Sequence, residues 1–258
     1  MDAPNPSATP TFASRTPLHI GAVALKVRDL DRLTGFYRDV LGLAVLDRAK
    51  DASALGAGGV RLVYLEHRPN AEPDDPRSAG LYHTAFLMPT RGDLARWILH
   101  VERHKIPLTG ASDHAVSEAF YLDDPEGNGV EIYCDRPAEI WEWTGRDLKI
   151  TTDPLDVAEA FYRDALGLDV TRRRQGATFM SSGRYHHHIA GNVWHSAGAG
   201  RRDEHRAGLF WLALEAADTS AFETAKARLT QSGEELAVTP TGIATVDPWG
   251  TRLRITRA

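Results

Sequence analysis

DHAVSEAFYLDDPEGNGVEIY, residues 113–133, reads as two antiparallel strands, 117–123 and 129–134, closed by the turn Asp124-Pro125-Glu126-Gly127-Asn128. Proline pre-sets one turn angle, and glycine and asparagine tolerate a left-handed one, so the turn has a mechanism. Side chains alternate across a strand. Val130 and Ile132 therefore share an apolar face, while Glu131 and Tyr133 share the opposite one. On the partner strand Phe120 and Leu122 point one way and Tyr121 the other. A hairpin that buries one face and presents a carboxylate and a phenol on the other is half of a site.

Outward from the hairpin, the chain alternates strand and helix signals. Residues 20–27 (IGAVALKV) form a strand, and Asp29 then caps a helix through LDRLTGFYRDVL that Gly42 stops. Strands follow at 43–50, 52–55 and 60–66. A second unit opens with a strand at 81–88 and a helix at 93–104, passes an irregular stretch or short strand at 107–111, and ends on the hairpin. The pattern then repeats. FYRDALGLDV from Phe161 matches FYRDVLGLAV from Phe36 in eight of ten positions, 125 residues apart. AGLFWLALEA (207–216) stands where AGLYHTAFLM (79–88) stood, and DPWGTRLRI (247–255) echoes DPEGNGVEI (124–132). An internal duplication of this kind fixes the organisation. The expected fold is α+β, four βαβββ units in two tandem halves. A disordered Pro/Ser/Thr-rich tail covers 1–17, domains cover 18–135 and 148–258, and a linker covers 136–147.

Composition excludes several classes. A net charge of −5 argues against a nucleic-acid partner, which needs a clustered basic surface. The nearest approach to one, Arg172-Arg173-Arg174, reads as a solvated strand end. The single cysteine, Cys134, leaves no internal disulfide, fits a reducing compartment and reads as a small buried hydrophobe. No stretch is apolar enough to span a membrane, and the N-terminus lacks the profile of a leader. A cytoplasmic protein with no membrane partner is expected. The helical His100 and His104 do not form a metalloprotease pattern, which needs Glu directly after the first histidine.

The four units, with their FYR-x-x-LG helix ends and DP-x-G turns, resemble the vicinal-oxygen-chelate superfamily of glyoxalase I, bleomycin-resistance proteins and extradiol ring-cleaving dioxygenases. The hairpin is more specific. His114, five residues, Phe120-Tyr121, two residues, Asp124-Pro125, Glu126-Gly127, three residues and Glu131 follow the extradiol signature, departing only at Ser112. YHHHIAG (185–191) is similar to the strand that carries the acid–base histidine in that group. Together with GLYHTAF and GASDHAVSEA it resembles the two-domain bacterial catechol 2,3-dioxygenases. That resemblance implies cleavage of a catechol by O₂ at Fe(II), with Mn(II) as the alternative metal, in a chain that forms a homo-oligomer. It further implies His83 and Glu131 as metal ligands, Tyr121 as a hydrogen-bond donor to the substrate oxygen, and His187 as the acid–base group. His186, His188 and His114 would line the pocket. On a strand His186 and His188 share one face and His187 the other, so the register of the triplet stays open by one.

The resemblance also leaves a gap. A third ligand, a histidine, belongs on the first strand of a unit, where this chain has Ala22 in one half and, by the 125-residue offset, Asp147 in the other. No histidine occurs between Cys134 and His186. The relatives carry a longer linker and a G-H-I-H-L strand there, so the third unit reads as truncated at its first strand. The C-terminal half cannot supply a site alone, since Arg254 stands in the carboxylate position and Leu209 or Phe210 in the histidine position. The expectation is a composite site, His83, Tyr121 and Glu131 facing the histidine triplet, with impaired metal binding. Two other classes remain: a glyoxalase-like isomerase or lyase using another divalent metal, and a metal-free binding protein of the bleomycin-resistance type.

Overall fold

The computed structural model describes residues 11–141, 143–144, 147–148 and 156–257. The first unit comprises β1 (Leu18–Val27), α1 (Leu30–Asp39), β2 (Ala44–Arg48), β3 (Ala52–Ala57) and β4 (Val60–His67). The second comprises β5 (His83–Leu87), α2 (Arg91–His104), β6 (Gly110–Asp113), β7 (Ser117–Asp123) and β8 (Gly129–Asp135). A two-residue ladder, β9 (Trp143–Thr144) with β10 (Asp147–Leu148), precedes the third unit. That unit has α3 (Asp156–Glu159), continued by a π-helical turn over Ala160–Ala165, then β11 (Asp169–Arg174), β12 (Ala177–Ser181) and β13 (Ile189–Asn192). The fourth has β14 (Gly208–Ala216), α4 (Thr219–Gln231), β15 (Ala237–Thr239), β16 (Gly242–Val246) and β17 (Arg252–Arg257).

Local chemistry explains the elements. The Asp29 carboxylate accepts from Arg32 N at 3.0 Å and caps α1, whose Leu30, Leu33 and Tyr37 are buried. Gly42 ends that helix with φ +81°, a left-handed backbone that favours glycine. Thr90 and Asp218 cap α2 and α4 in the same way. The repeated FYR and DP-x-G words meet in space. Tyr37 donates to Asp124 Oδ2 at 3.2 Å, and Tyr162 donates to Asp247 Oδ2 at 2.8 Å. Each aspartate also accepts backbone N–H groups of its own turn, from Glu126 and Asn128 or from Trp249 and Thr251. The motif is thus a docking bond between the helix of one unit and the turn of the next.

Sheet pairing does not follow the two sequential halves. The largest sheet has the order β15-β16-β17-β14-β1-β4-β3-β2, so the first unit joins the fourth through antiparallel β1 and β14. The second unit forms its own sheet, β5-β8-β7-β6, and the third a sheet β11-β12-β13. The boundary expected near residue 135 is therefore not a boundary between sheets, because the first strands of units one and four present complementary edges to each other. In units one, two and four the first strand pairs parallel with the last: β1 with β4, β5 with β8, β14 with β17. Among the described residues β13 has only its antiparallel neighbour β12. Most of LKITT and the run into the third helix, residues 149–155, lie outside the described residues.

Two further expectations need correction. The tail expected to be disordered through residue 17 is packed from Phe12 onward. The Phe12 ring stands 5.5 Å from Trp141 and 5.8 Å from Tyr185, and Thr16 is buried. Trp141 belongs to the stretch expected as a linker, and together these rings close an apolar cluster with Val116. The reason is the exposed aromatic area that either segment would otherwise leave in water. Cys134 is buried, as the sequence implied.

Candidate functional site

The hairpin of β7 and β8 forms with the boundaries that its sequence dictates, and Tyr121 stands directly opposite Glu131 across it. Val130 and Ile132 enter the apolar core, while Glu131 lies on the other face. Parallel pairing of β5 with β8 sets His83 against Gly129, one step from Glu131. A Cβ at Gly129 would meet the Tyr82 carbonyl at 2.2 Å, so only glycine allows β5 to approach that closely.

These registers gather three side chains around one carboxylate. His83 Nε2 lies 2.9 Å from Glu131 Oε2, and Tyr121 donates to Glu131 Oε1 at 3.2 Å. His114 Nε2 lies 2.7 Å from the Tyr121 oxygen. Because that phenol donates to Glu131, it accepts from His114, and every proton of the chain points toward the carboxylate. Burial pushes the Glu131 carboxyl up, but the His83 hydrogen bond, the charges of His83 and His114 and the Tyr121 bond outweigh it and hold the group below its usual range. Tyr121 is raised by burial and then by the Glu131 charge, so it remains a neutral phenol. Burial lowers His114, with Glu131 opposing and Arg172 and Arg174 adding to the effect.

The histidine triplet does not lie on a strand. Gly183 and Arg184 take left-handed backbones, φ 64° and 60°, and the turn they make delays β13 until Ile189. The three rings still divide. His187 lies 5.0 Å from the Phe179 ring, and burial holds it well below the ordinary range, with the charges of His186, His83, His188 and His114 in the same direction. Both His83 and His114 act on it, and His186 also acts on His114. His186 is buried away from solvent, its Nε2 2.8 Å from Asp135 Oδ1 and its Nδ1 2.8 Å from His187 Nδ1. His188 is not brought to the Glu131 cluster. Ser182 N donates to its Nδ1 at 3.2 Å, and its Nε2 lies 3.1 Å from Thr16 Oγ1, because the packed N-terminal segment supplies those partners. His188 thus sits with Thr16 and Ser182 rather than with the Glu131 cluster, and His186 sits against Asp135.

Three features escaped the sequence reading. Asp135, at the end of β8, accepts from His186 and from the Tyr185 hydroxyl at 3.2 Å. Tyr82 carries an aromatic wall, its ring 5.3 Å from Trp194, 5.8 Å from His195 and 5.4 Å from His83. The three arginines of β11 are not a solvated strand end. Arg173 donates to buried Glu159, while Arg172 and Arg174 act on His114 from the other side of the strand. The strand period alone could have separated Arg173 from its neighbours.

The donor set around Glu131 is short of a complete metal centre. His83 Nε2 and the Glu131 carboxylate are an imidazole and a carboxylate of the chemistry a divalent ion takes. Among the described residues no group of three or more His, Cys, Asp or Glu converges to hold a metal. All 11 histidines of the chain are among the described residues, so a third imidazole has no other source.

Comparison with known proteins agrees with the fold. The family model described as the Glyoxalase/Bleomycin resistance protein/Dioxygenase superfamily matches residues 19–132. A catechol-2,3-dioxygenase of Bacillus subtilis (strain 168) is 33% identical, over 89% of this chain and 94% of that protein. The alignment spans 271 positions, more than the 258 residues of this chain, so that relative carries residues with no counterpart here. Biphenyl-2,3-diol 1,2-dioxygenase 3 of Rhodococcus globerulus is 30% identical over 58% of this chain and 85% of its own. Among solved structures, glyoxalase I from Zea mays superposes with a TM-score of 0.60, at 16% identity, over 93% of this chain and 92% of that one.

Proposed function

Because the chain belongs to the Glyoxalase/Bleomycin resistance protein/Dioxygenase superfamily, we propose that the sheet face around Glu131 is the site of an extradiol-type dioxygenase directed at catechols, with its metal centre reduced to two protein donors. The observation that carries this reading is the Tyr121–Glu131–His83 arrangement, a phenol and an imidazole converging on one buried carboxylate. Its relatives at 30% identity and above are dioxygenases of aromatic diols. The metal, Fe(II) or Mn(II), would supply positions for both diol oxygens and for O₂, and a two-histidine, one-carboxylate face is the usual holder. Here only His83 and Glu131 fit such a face. The extra length of the Bacillus relative supports loss of the strand that carried the third donor.

What the chain's own residues do with a diol follows from their hydrogen bonds. The Glu131 carboxylate orders the Tyr121 phenol, which can donate to a diol oxygen once it turns from Oε1. Asp135 can only accept, so it fixes the proton of His186 on Nε2. In the neutral pair His186 Nδ1 then accepts from His187 Nδ1, and His187 is left with a bare Nε2. A half-buried, neutral imidazole with a free lone pair accepts a proton from a diol hydroxyl. Tyr82 and Trp194 offer flat apolar surface to the ring beside His83.

The test is anaerobic titration of the purified chain with Fe(II), metal analysis after desalting, and assay of catechol for a yellow ring-fission product. The expected result is substoichiometric iron after desalting and product formation that depends on Fe(II) kept in excess. Stoichiometric, tightly held iron would show that the centre is complete. Catechol binding with no product at any iron level would favour the second reading, a metal-free binding protein, which the missing third donor also supports.

A further inference from the structure

β11 carries Arg172, Arg173 and Arg174 in succession, and strand alternation sends them to two faces. Arg173 turns toward α3, where its Nε and Nη2 donate to the buried Glu159 carboxylate at 2.7 and 2.6 Å. Arg172 turns the other way, onto Phe179, its cross-strand partner, with the guanidinium carbon 5.6 Å from the ring centroid. The same Phe179 ring is the neighbour of His187 at 5.0 Å. Arg172 is half-buried, its Nε is sealed from solvent without an acceptor, and among the described residues no carboxylate pairs with it. Burial and the like charge of Arg174 both lower its pKa, with no carboxylate among the causes to oppose them.

Buried donors are nearly always paired, and an arginine withdrawn from water without an anion is unfavourable. The Arg172 guanidinium lies over the Phe179 ring, and its two Nη groups are a pair of donors of the kind that takes a carboxylate in two parallel hydrogen bonds. The charges of Arg172 and Arg174 both reach His114, and that of Arg174 reaches Tyr121, so the two guanidiniums belong to the electrostatic surroundings of the groups that end on Glu131. Resting on the diol reading above, we infer that the substrate is an anionic diol, a catechol carrying a carboxylate on its ring or on a short arm, and that Arg172 receives that carboxylate. Arg174, more exposed, adds attraction at the entrance. Phe179 is the shared wall between the carboxylate end and the His187 end.

Anaerobic calorimetric titration with Mn(II) in excess tests this with four probes: catechol, 3,4-dihydroxybenzoate, its methyl ester, and benzoate. A second acid and ester pair with the carboxylate on a two-carbon arm covers the longer reach. The expected result is that at least one acid binds about tenfold or more tighter than its own ester, the worth of a charge-assisted pair. In Arg172→Met the acid-to-ester ratio should fall to near unity, and in Arg172→Lys most of it should return. A ratio taken on one protein is insensitive to any general loss of fold, and the wild-type ratio decides by itself if the Met variant does not fold. Acid and ester of equal affinity overturn the inference and leave the diol reading standing. Benzoate binding as tightly as the dihydroxy acid, with no binding of catechol, overturns the diol reading and keeps Arg172 as an anion site. Binding of none of the probes overturns both.

Discussion

Asp135 Oδ1 lies 2.8 Å from His186 Nε2, at the point where the last strand of the second unit meets the loop of the third. That contact joins two sheets that share no backbone pairing. It also dictates, through His186, which nitrogen of His187 carries a proton. Asp135→Asn replaces an acceptor by a group that can donate, which lets His186 reverse and protonates His187 Nε2. The expected outcome is a change of the His187 Nε2 resonance from the bare to the protonated type in ¹⁵N-detected imidazole spectra. Any diol turnover should fall about 10²-fold, the lower range for loss of a general base. An unchanged His187 tautomer in the variant would sever Asp135 from this role.

Acid should unfold the protein through buried neutral histidines. His188 is pushed down to about 3, mainly by burial, and His187 is held well below its ordinary value by the same cause. Both are protonated more readily in the unfolded chain, whose ordinary value is 6.5. The unfolded state therefore binds more protons between those values, and stability declines as pH falls from 6.5 toward about 3. Urea midpoints taken between pH 7 and pH 4 should drop steadily. His188→Gln, which can keep a bond to Thr16, should flatten part of that slope. A midpoint independent of pH in wild type would contradict the neutral, buried state of these rings.

The hairpin, its turn and its two faces were legible because period-two alternation and turn chemistry are local. The repeated FYR and DP-x-G words were legible as a duplication, although their meaning, the Tyr37–Asp124 and Tyr162–Asp247 bonds, needed the third dimension. The pairing of β1 with β14 was not legible, since complementary edges far apart in sequence leave no local mark. The triplet was misread as a strand because nothing in RYHHH announces that Arg184, a non-glycine residue, adopts φ 60°. Arg172 was misread because a basic run looks solvated until Glu159 is seen to take only its middle member.

The N-terminal segment should contribute measurable stability. Phe12 fills the space between Trp141 and Tyr185, and Thr16 is the partner of His188 Nε2. Phe12→Ala removes a ring from that cluster, and Phe to Ala changes in packed sites cost about 3–5 kcal/mol, with the lower end apt for a segment near a terminus. Deleting residues 1–16 should lower the urea midpoint at least as far as Phe12→Ala does. Equal midpoints for all three proteins would return residues 11–17 to the status of a loose tail.

Tyr37 and Tyr162 offer the most direct comparison, since each donates to the buried or nearly buried aspartate of the following unit. Removing either hydroxyl leaves a carboxylate with one donor fewer while its backbone donors remain. Such a loss costs about 1–3 kcal/mol when the acceptor cannot reach water. Asp124 also keeps the Asn128 side chain at 2.9 Å, whereas Asp247 has no corresponding side-chain donor beyond Tyr162. Tyr162→Phe should therefore destabilise more than Tyr37→Phe in urea unfolding at neutral pH. Replacing Asp124 by Asn on the Tyr37→Phe background should recover part of its loss, because the new amide nitrogen can donate to the unpaired Asn128 Oδ1 once the Asn128 amide turns over. Neither tyrosine touches Glu131 or His187, so diol affinity measured on the folded variants should stay at the wild-type value. A larger effect at Tyr37 would mean that the Asn128 bond carries little, and that docking of α1 on the hairpin turn rests on Tyr37 alone.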